Sequence, residues 1–235
     1  MERKHIYSTL NVFLFLSLTI LGFKAHSTPS QTCFQLLENL KIEAFTGFSF
    51  EDEPNRTYLG VGEFGGNVYR VRNPKDGSYY VVKQFHNEEY YKNDQLAFEV
   101  LKEIFKRYPH PYFTMIDVLK KTKAKQEMIL TWIPGQTLDD VIDEKVGEEH
   151  DDEAQLLMDL LEDYISYIQH GFRDLKKSQW RGLRFINITR KKNLLVAKMS
   201  LRGIAGQRKY FTIAIVPQNI VIQDNPRRLV LIDPA

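Results

Sequence analysis

Apolar and polar positions alternate through residues 57–85, where "TYLGVG", "NVYRVRN" and "SYYVVKQF" alternate or cluster β-branched and aromatic residues. Pro74 and the Asp76-Gly77 pair mark a turn between the second and third runs. A period of two sends successive side chains to opposite faces of a strand, so this stretch predicts an antiparallel meander. From Glu88 to Arg107 the pattern becomes helical, with a stop before Pro109. At about 100° per residue, Ala97, Leu101, Ile104, Phe105 and Tyr108 form its apolar stripe. "YFTMIDVL" and "QEMILTWI" return to strand character and extend the sheet to five strands. After Pro134-Gly135 come "TLDDVIDE" and a long helix from Asp151 to Gln169, with Leu156, Leu157, Leu160, Leu161, Tyr164 and Ile168 spaced at three and four. The last quarter reads as strands: "LRFINI", "NLLVAKMSL", "YFTIAIV", "NIVIQ" and "RLVLID". The fold class is α+β, with no internal repeat and no low-complexity tract.

Composition narrows the class. A chain of 235 residues with 43% hydrophobic and 26% charged content folds as one domain or one unit of two lobes, which excludes a disordered or collagen-like chain. Residues 1–27 read as an export signal: Arg3 and Lys4, an apolar run from Ile6 to Phe23, then Ala25 and Ser27 at A-x-A-like spacing. The expected location is exported, secreted or periplasmic, with no membrane association after cleavage. The alternative is an uncleaved anchor, since a run of about 18 apolar residues just spans a bilayer. Cys33 is the only cysteine, so the fold has no internal disulfide and rests on core burial.

The net charge of +2 hides a local asymmetry. The segment 173–209 holds twelve Lys or Arg against the single acid Asp174. Such a segment can dock an acidic protein surface, a phosphorylated partner, anionic lipid or nucleic acid, or can simply be a solvated sheet face. Its few aromatic residues disfavour a single-strand nucleic-acid platform, and no specific nucleic acid is expected. Residues 143–153, "DEKVGEEHDDE", read as an exposed linker and an acidic helix start, which the helix dipole favours.

The candidate chemistry begins in "YLGVGEFGGNVYRVRNPKDGSYYVVK". Gly60, Gly62, Gly65 and Gly66 lie between two strands, where missing side chains let backbone N–H groups approach a phosphate closely, or where they merely turn a hairpin. Lys83 ends "VVK", and "MILTWIPGQTLDDVI" runs from the fifth strand into the next helix. In this order the segments resemble the small lobe of the protein kinase superfamily. The resemblance implies that the glycine loop covers the nucleotide phosphates and Val68 the adenine. It also implies that Lys83 pairs with the α- and β-phosphates and that "MILTWIPGQTLDDVI" is the hinge and the helix after it. One extra residue separates the third glycine from the valine, leaving Gly65 and Gly66 as alternatives. The family also places an acid on the following helix to hold the lysine. Glu99 has the usual spacing but falls nearly opposite the apolar stripe. Asp94 lies on its edge, with Ala97, Phe98 and Leu101 three, four and seven residues on, and is preferred.

"VPQNIVIQDNPRRLVLIDPA" resembles the superfamily segment that runs from the catalytic loop to the metal-binding aspartate. Asn219 and Asp233 would then be the oxygen ligands of Mg²⁺. The position of the catalytic base, five residues before Asn219, holds Ala214, and Thr212 stands where histidine is usual. "FRDLKKSQ", Phe172 to Gln179, resembles the catalytic loop a second time, with Asp174 as base and Gln179 in place of asparagine. Either a basic hairpin is inserted between Asp174 and Asn219, or Asp174 is a helix charge and the chain is a pseudokinase.

The resemblance thus implies a two-lobed kinase-like fold: an extension at 28–56, a five-stranded antiparallel small lobe with one helix at 57–133, and a reduced large lobe at 134–235 carrying a basic hairpin at 173–210. It implies an ATP- and Mg²⁺-dependent phosphotransferase acting on a protein hydroxyl, with Lys83 and Asp174 catalytic. The alternative is an inactive nucleotide-binding module that contacts a protein partner through residues 173–209.

Overall fold

The computed structural model describes residues 31–40, 56–62, 66–177, 180, 182–191, 193–202 and 206–234. The export signal expected at 1–27, Gly65 and Gln179 lie outside the described residues.

Five strands form the first sheet: β1 (Arg56–Val61), β2 (Gly66–Arg72), β3 (Tyr79–Phe85), β5 (Val118–Thr122) and β6 (Glu127–Thr131), in the order β1-β2-β3-β6-β5 and antiparallel throughout. The expected meander is therefore present. Its fourth sequence run divides, however, because β4 (Phe113–Met115) leaves the sheet and pairs in parallel with a strand near the end of the chain.

Helix α1 (Gln31–Asn39) precedes the first sheet in the chain and α2 (Glu88–Arg107) follows β3. Asn87 caps α2 by accepting the Tyr90 N–H at 2.9 Å, with Glu88 and Glu89 in the first turn and Lys106 and Arg107 in the last. Each charge opposes the partial charge of its helix end. After β6 come β7 (Gly135–Thr137), α3 (Leu138–Gly147) and α4 (Asp151–Leu175). Thr137 caps α3 through its hydroxyl, which accepts the Asp140 N–H at 3.1 Å.

Three further strands, β8 (Leu183–Lys191), β9 (Leu194–Arg202) and β10 (Arg208–Ile215), make a second antiparallel sheet in the order β10-β9-β8. The expected hairpin at 173–210 is thus two strands of a three-stranded sheet whose last strand continues toward Asn219. A one-turn helix at Pro217–Asn219 leads into β11 (Ile220–Gln223) and β12 (Arg228–Leu231), which join β4 and β7 in a sheet ordered β4-β12-β11-β7.

Two apolar clusters hold these layers. The larger joins α1, α2, α3, α4, the β8–β10 sheet and the β11–β12 hairpin, with Leu101, Ile104, Leu160, Leu161, Phe172 and Ile213 inaccessible to solvent. The smaller lies under the five-stranded sheet and includes Val81, Phe98, Met128 and Leu130. Helix α2 contributes to both. It crosses α4 closely at Gly171, where an added Cβ would overlap Ile104 Cγ2. Tyr164, fully buried on α4, donates its hydroxyl to the Thr114 carbonyl at 2.5 Å and so ties α4 to β4. Among the described residues no helix is long and apolar enough to cross a membrane.

Candidate functional site

A cleft of about 630 Å³ opens between the five-stranded sheet and the β7–β11–β12 side of the molecule. Gly60, Gly62, Val68 and Val81 line it from the sheet. Leu130, Trp132 and Ile133, where β6 runs out toward β7, form another wall. Asn219, Val221, Ile232 and Asp233 close it on the opposite side. The walls are mostly apolar and the polar groups few, the usual make-up of a small-molecule site.

Lys83 is the centre of charge. It is 2% exposed, and its Nζ lies 3.0 Å from Asp94 Oδ2 and 2.8 Å from Asp233 Oδ1. Alternation along β3 turns Val81, Lys83 and Phe85 inward, and α2 passes behind them. A buried ammonium is costly unless paired, and two carboxylates face this one. Burial is the largest single influence on Lys83 and disfavours its charge, but Asp233 and Asp94 together outweigh it and hold the ammonium protonated. Asp94 is pushed up to about 7 by burial; Lys83 draws it back, and the negative charge of Asp233 pushes it further up. Asp94 is buried behind Lys83, so Asp233 is the partner that faces the cleft, where a bound cation can meet it.

Of the two acids considered for Lys83, Asp94 contacts it, whereas Glu99 is 55% exposed and pairs with Lys121 at 2.9 Å. The helical stripe explains why: residues facing the sheet must lie on the α2 side that carries Phe98, and Glu99 is turned away from it.

The glycines have different roles. Gly60 has φ +144°, next to an irregularity in the β1–β2 register between Tyr58 and Gly60. Backbone conformation alone favours glycine there. Gly62 sits directly over the charged group, where an added Cβ would lie 3.1 Å from Lys83 Cε and 3.3 Å from Asp233 Oδ2. Its N–H donates to the Gly66 carbonyl at 2.8 Å, closing the end of the β1–β2 ladder. The stretch therefore turns a hairpin and also brings bare backbone over Lys83.

Asn219 and Asp233 are brought together by the ladder between β11 and β12. Ile220 pairs with Leu231, and the Ile232 N–H donates to the Asn219 carbonyl at 2.8 Å. The Asn219 side-chain nitrogen is buried without a hydrogen-bond partner. Amide oxygen and nitrogen positions are interchangeable by a flip, so this residue can present an oxygen to a cation beside Asp233. A hard divalent cation that keeps several waters needs only a carboxylate and one further oxygen from the protein, and this pair fits it. Among the described residues no cluster of three or more His, Cys, Asp or Glu forms another metal site.

Asp174 is placed elsewhere. It lies in the last turn of α4, accepts from the Tyr108 hydroxyl at 3.1 Å and Lys177 Nζ at 3.1 Å, and has His170 Nε2 at 3.4 Å. Tyr108 caps the C-terminal end of α2, about 20 Å along the helix axis from Asp94. Asp174 does not line the cleft. Lys177 first, then Tyr108, hold its carboxyl below the usual carboxylate range, which makes it a weaker base. Of the catalytic loop expected at Phe172–Gln179, the part through Leu175 is helical instead, because Phe172 and Leu175 extend the buried face of α4. Ala214 does lie beside the Asp233 segment, its N–H donating to the Pro234 carbonyl at 2.8 Å, but it supplies only a methyl group. Among the described residues that line the cleft, Asp233 is the single carboxylate.

Sequence reasoning missed Ile116, Gly135 and Gln218 as wall residues. Ile116 reaches the cleft because its N–H donates to the Leu231 carbonyl at 2.9 Å, a pairing across more than a hundred residues that no local pattern carries.

No protein-family model and no curated protein matches the chain. Among solved structures it is similar to the crystallised kinase domain of PF14_0431, with 16% identity and a TM-score of 0.36, over 80% of this chain and 53% of that one. The chain spans about half the length of that neighbour, and the chemistry has to be argued from the cleft itself.

Proposed function

We propose that the chain is a kinase-like protein whose cleft binds ATP with Mg²⁺, and that it acts by holding the nucleotide rather than by transferring its phosphate. One observation carries the reading: a buried lysine held between Asp94 and Asp233 at 3.0 and 2.8 Å, directly under the bare backbone of Gly62. The ammonium is preoriented by Asp94 and can exchange its contact with Asp233 for phosphate oxygens. Gly60 and Gly62 bring main chain over the phosphates, while Val68, Val81, Leu130 and Ile133 offer apolar surface to a flat base. Asp233 and Asn219 would hold the metal ion, which when bound neutralises phosphate charge. Among the described residues that line the cleft, Asp233 is the one carboxylate, and with it on the metal ion none of those residues is left to accept a proton from an acceptor hydroxyl, which favours binding over transfer.

A phosphotransferase acting on a protein hydroxyl is the second reading, favoured by the intact Lys83–Asp94 pair. Phosphoryl transfer depends mostly on positioning and charge stabilisation, so loss of a base lowers such activity without removing its other parts. Calorimetric titration with ATP and Mg²⁺ tests the shared claim: the wild type binds, and Lys83→Met loses binding while retaining its far-UV spectrum. Undiminished affinity in that variant would sink the cleft assignment. A γ-phosphate transfer assay separates the readings. We expect no incorporation; incorporation abolished by Asp233→Ala would establish the transferase.

A further inference from the structure

The cleft makes no use of the β8–β10 sheet, and one side of that sheet is open. Among the described residues β8 pairs with β9 alone, so it is an edge strand. Ile186, Asn187, Ile188 and Thr189 are exposed in succession. Consecutive strand residues point to opposite faces, so this stretch is open on both faces as well as along its edge. Ile186 and Ile188 are 49% and 44% exposed. A long edge with uncovered apolar side chains is a template for another strand. The register shift between Phe185 and Asn187 bends the strand at Ile186 and leaves a regular ladder from Asn187 to Lys191.

Charge selects the occupant. From Leu183 to Ile215 the sequence has no Asp or Glu. Arg184, Lys191, Lys198, Arg202, Arg208 and Lys209 are exposed on the sheet. Arg190 is bonded to Glu162 and fixes the end of β8 to α4. A second copy pairing antiparallel along the whole strand would set Arg184 opposite Arg190 and Lys191 opposite Leu183, and like charges directly opposite are destabilising. Nucleic acid would satisfy the cations but has no backbone N–H and C=O ladder to offer the edge.

We infer that β8 is a docking edge for an extended acidic segment of a partner protein. The segment adds as a fourth strand, its carboxylates beside Arg184 and Lys191 and its alternate apolar side chains beside Ile186 and Ile188. Main-chain bonds supply affinity in this mode and alternate side chains supply specificity.

The probe is a blocked peptide alternating Glu and Val over seven residues, tested beside the same peptide with every internal amide N-methylated and beside oligothymidylate. The full chain should bind the unmodified peptide, with slowed amide exchange confined to residues 186–191. N-methylation, which keeps the charge and removes the donors, should abolish binding. The Arg184→Glu, Lys191→Glu double variant should bind at least about tenfold more weakly, and its far-UV spectrum shows whether the sheet is retained. Equal binding of the N-methylated peptide would reduce the surface to a non-specific cationic patch and overturn the proposal. So would exchange protection by oligothymidylate alone, or no peptide binding at millimolar concentration.

Discussion

Lys83 has two carboxylate partners, and Asp94 is the one with no solvent around it. Because the folded protein holds the Asp94 proton up to about 7, while an unfolded aspartate releases it near 3.9, the native state binds more protons than the unfolded state between these values. Stability linked to this group is therefore greatest at the acidic end of that window and falls as pH rises through it, opposite in sign to an aspartate stabilised by a surface ion pair. Asp94→Asn keeps the volume, removes the titration and leaves Lys83 its contact with Asp233. Urea unfolding at several pH values should show the wild type losing stability from pH 5 to 8, and the variant a flatter profile. An unchanged slope would assign the effect to other groups. Gly60 and Gly62 give a paired test at the same scale. Gly60→Ala meets no neighbouring atom, so its cost is backbone strain at positive φ, about 1–3 kcal/mol of stability. Gly62→Ala crowds Lys83 and Asp233 and should lower nucleotide affinity more than stability. Calorimetric titration and thermal melts on both variants resolve the two effects.

Among the elements, α2 and the glycine strands were legible in the sequence because their signals are local. The helical spacing from Glu88 and the stop before Pro109 mark the helix, and the alternation of Val81, Lys83 and Phe85 marks β3. Asp94 was legible from its position near the stripe. The stripe itself was drawn too narrow: Tyr91, Leu96, Phe98 and Val100 are also buried, because α2 packs on a sheet on one side and on α4 and β10 on the other. For Asp174 the sequence leaves two readings open, a base or a helix charge. Its local pattern is loop-like, but the apolar positions Phe172 and Leu175 keep α4 helical through it. What no local pattern could give is pairing between distant strands, as in β7 against β11, where Gly135 faces Gln223. Gly135 has φ +152°, and a Cβ there would overlap the Ile222 carbonyl oxygen. Gly135→Ala must therefore open the β7–β11 ladder. It should cost more than Gly60→Ala, about 3 kcal/mol or more, since strain and clash both act. The amides of Gly135–Thr137 and Ile220–Gln223 should exchange faster in that variant than in the wild type.

In the whole molecule, the two apolar clusters are joined through one helix. Phe98 and Tyr91 of α2 belong to the cluster under the five-stranded sheet, and Leu96, Val100, Leu101 and Ile104 belong to the larger one. Val230 of β12 joins the smaller cluster while its neighbours Leu229 and Leu231 join the larger. Alternating residues of a single strand thus serve both bodies of core. Neither cluster can lose its packing without removing a wall of the other, so the chain should unfold as one cooperative unit despite having two cores. Truncating Phe98 to Ala removes a side chain from the smaller cluster and should cost about 3–5 kcal/mol; Leu101→Ala in the larger should cost about 2–5 kcal/mol. For a chain of this size each kcal/mol lowers the midpoint by about 2–4 °C, so both variants should shift by roughly 5–20 °C. Scanning calorimetry distinguishes the coupled from the independent case. Coupling requires that both variants move one endotherm as a whole. If the cores melted separately, Phe98→Ala would pull a low-temperature shoulder away from an unmoved main transition, and the helix that positions Asp94 against Lys83 would then be held by the larger core alone.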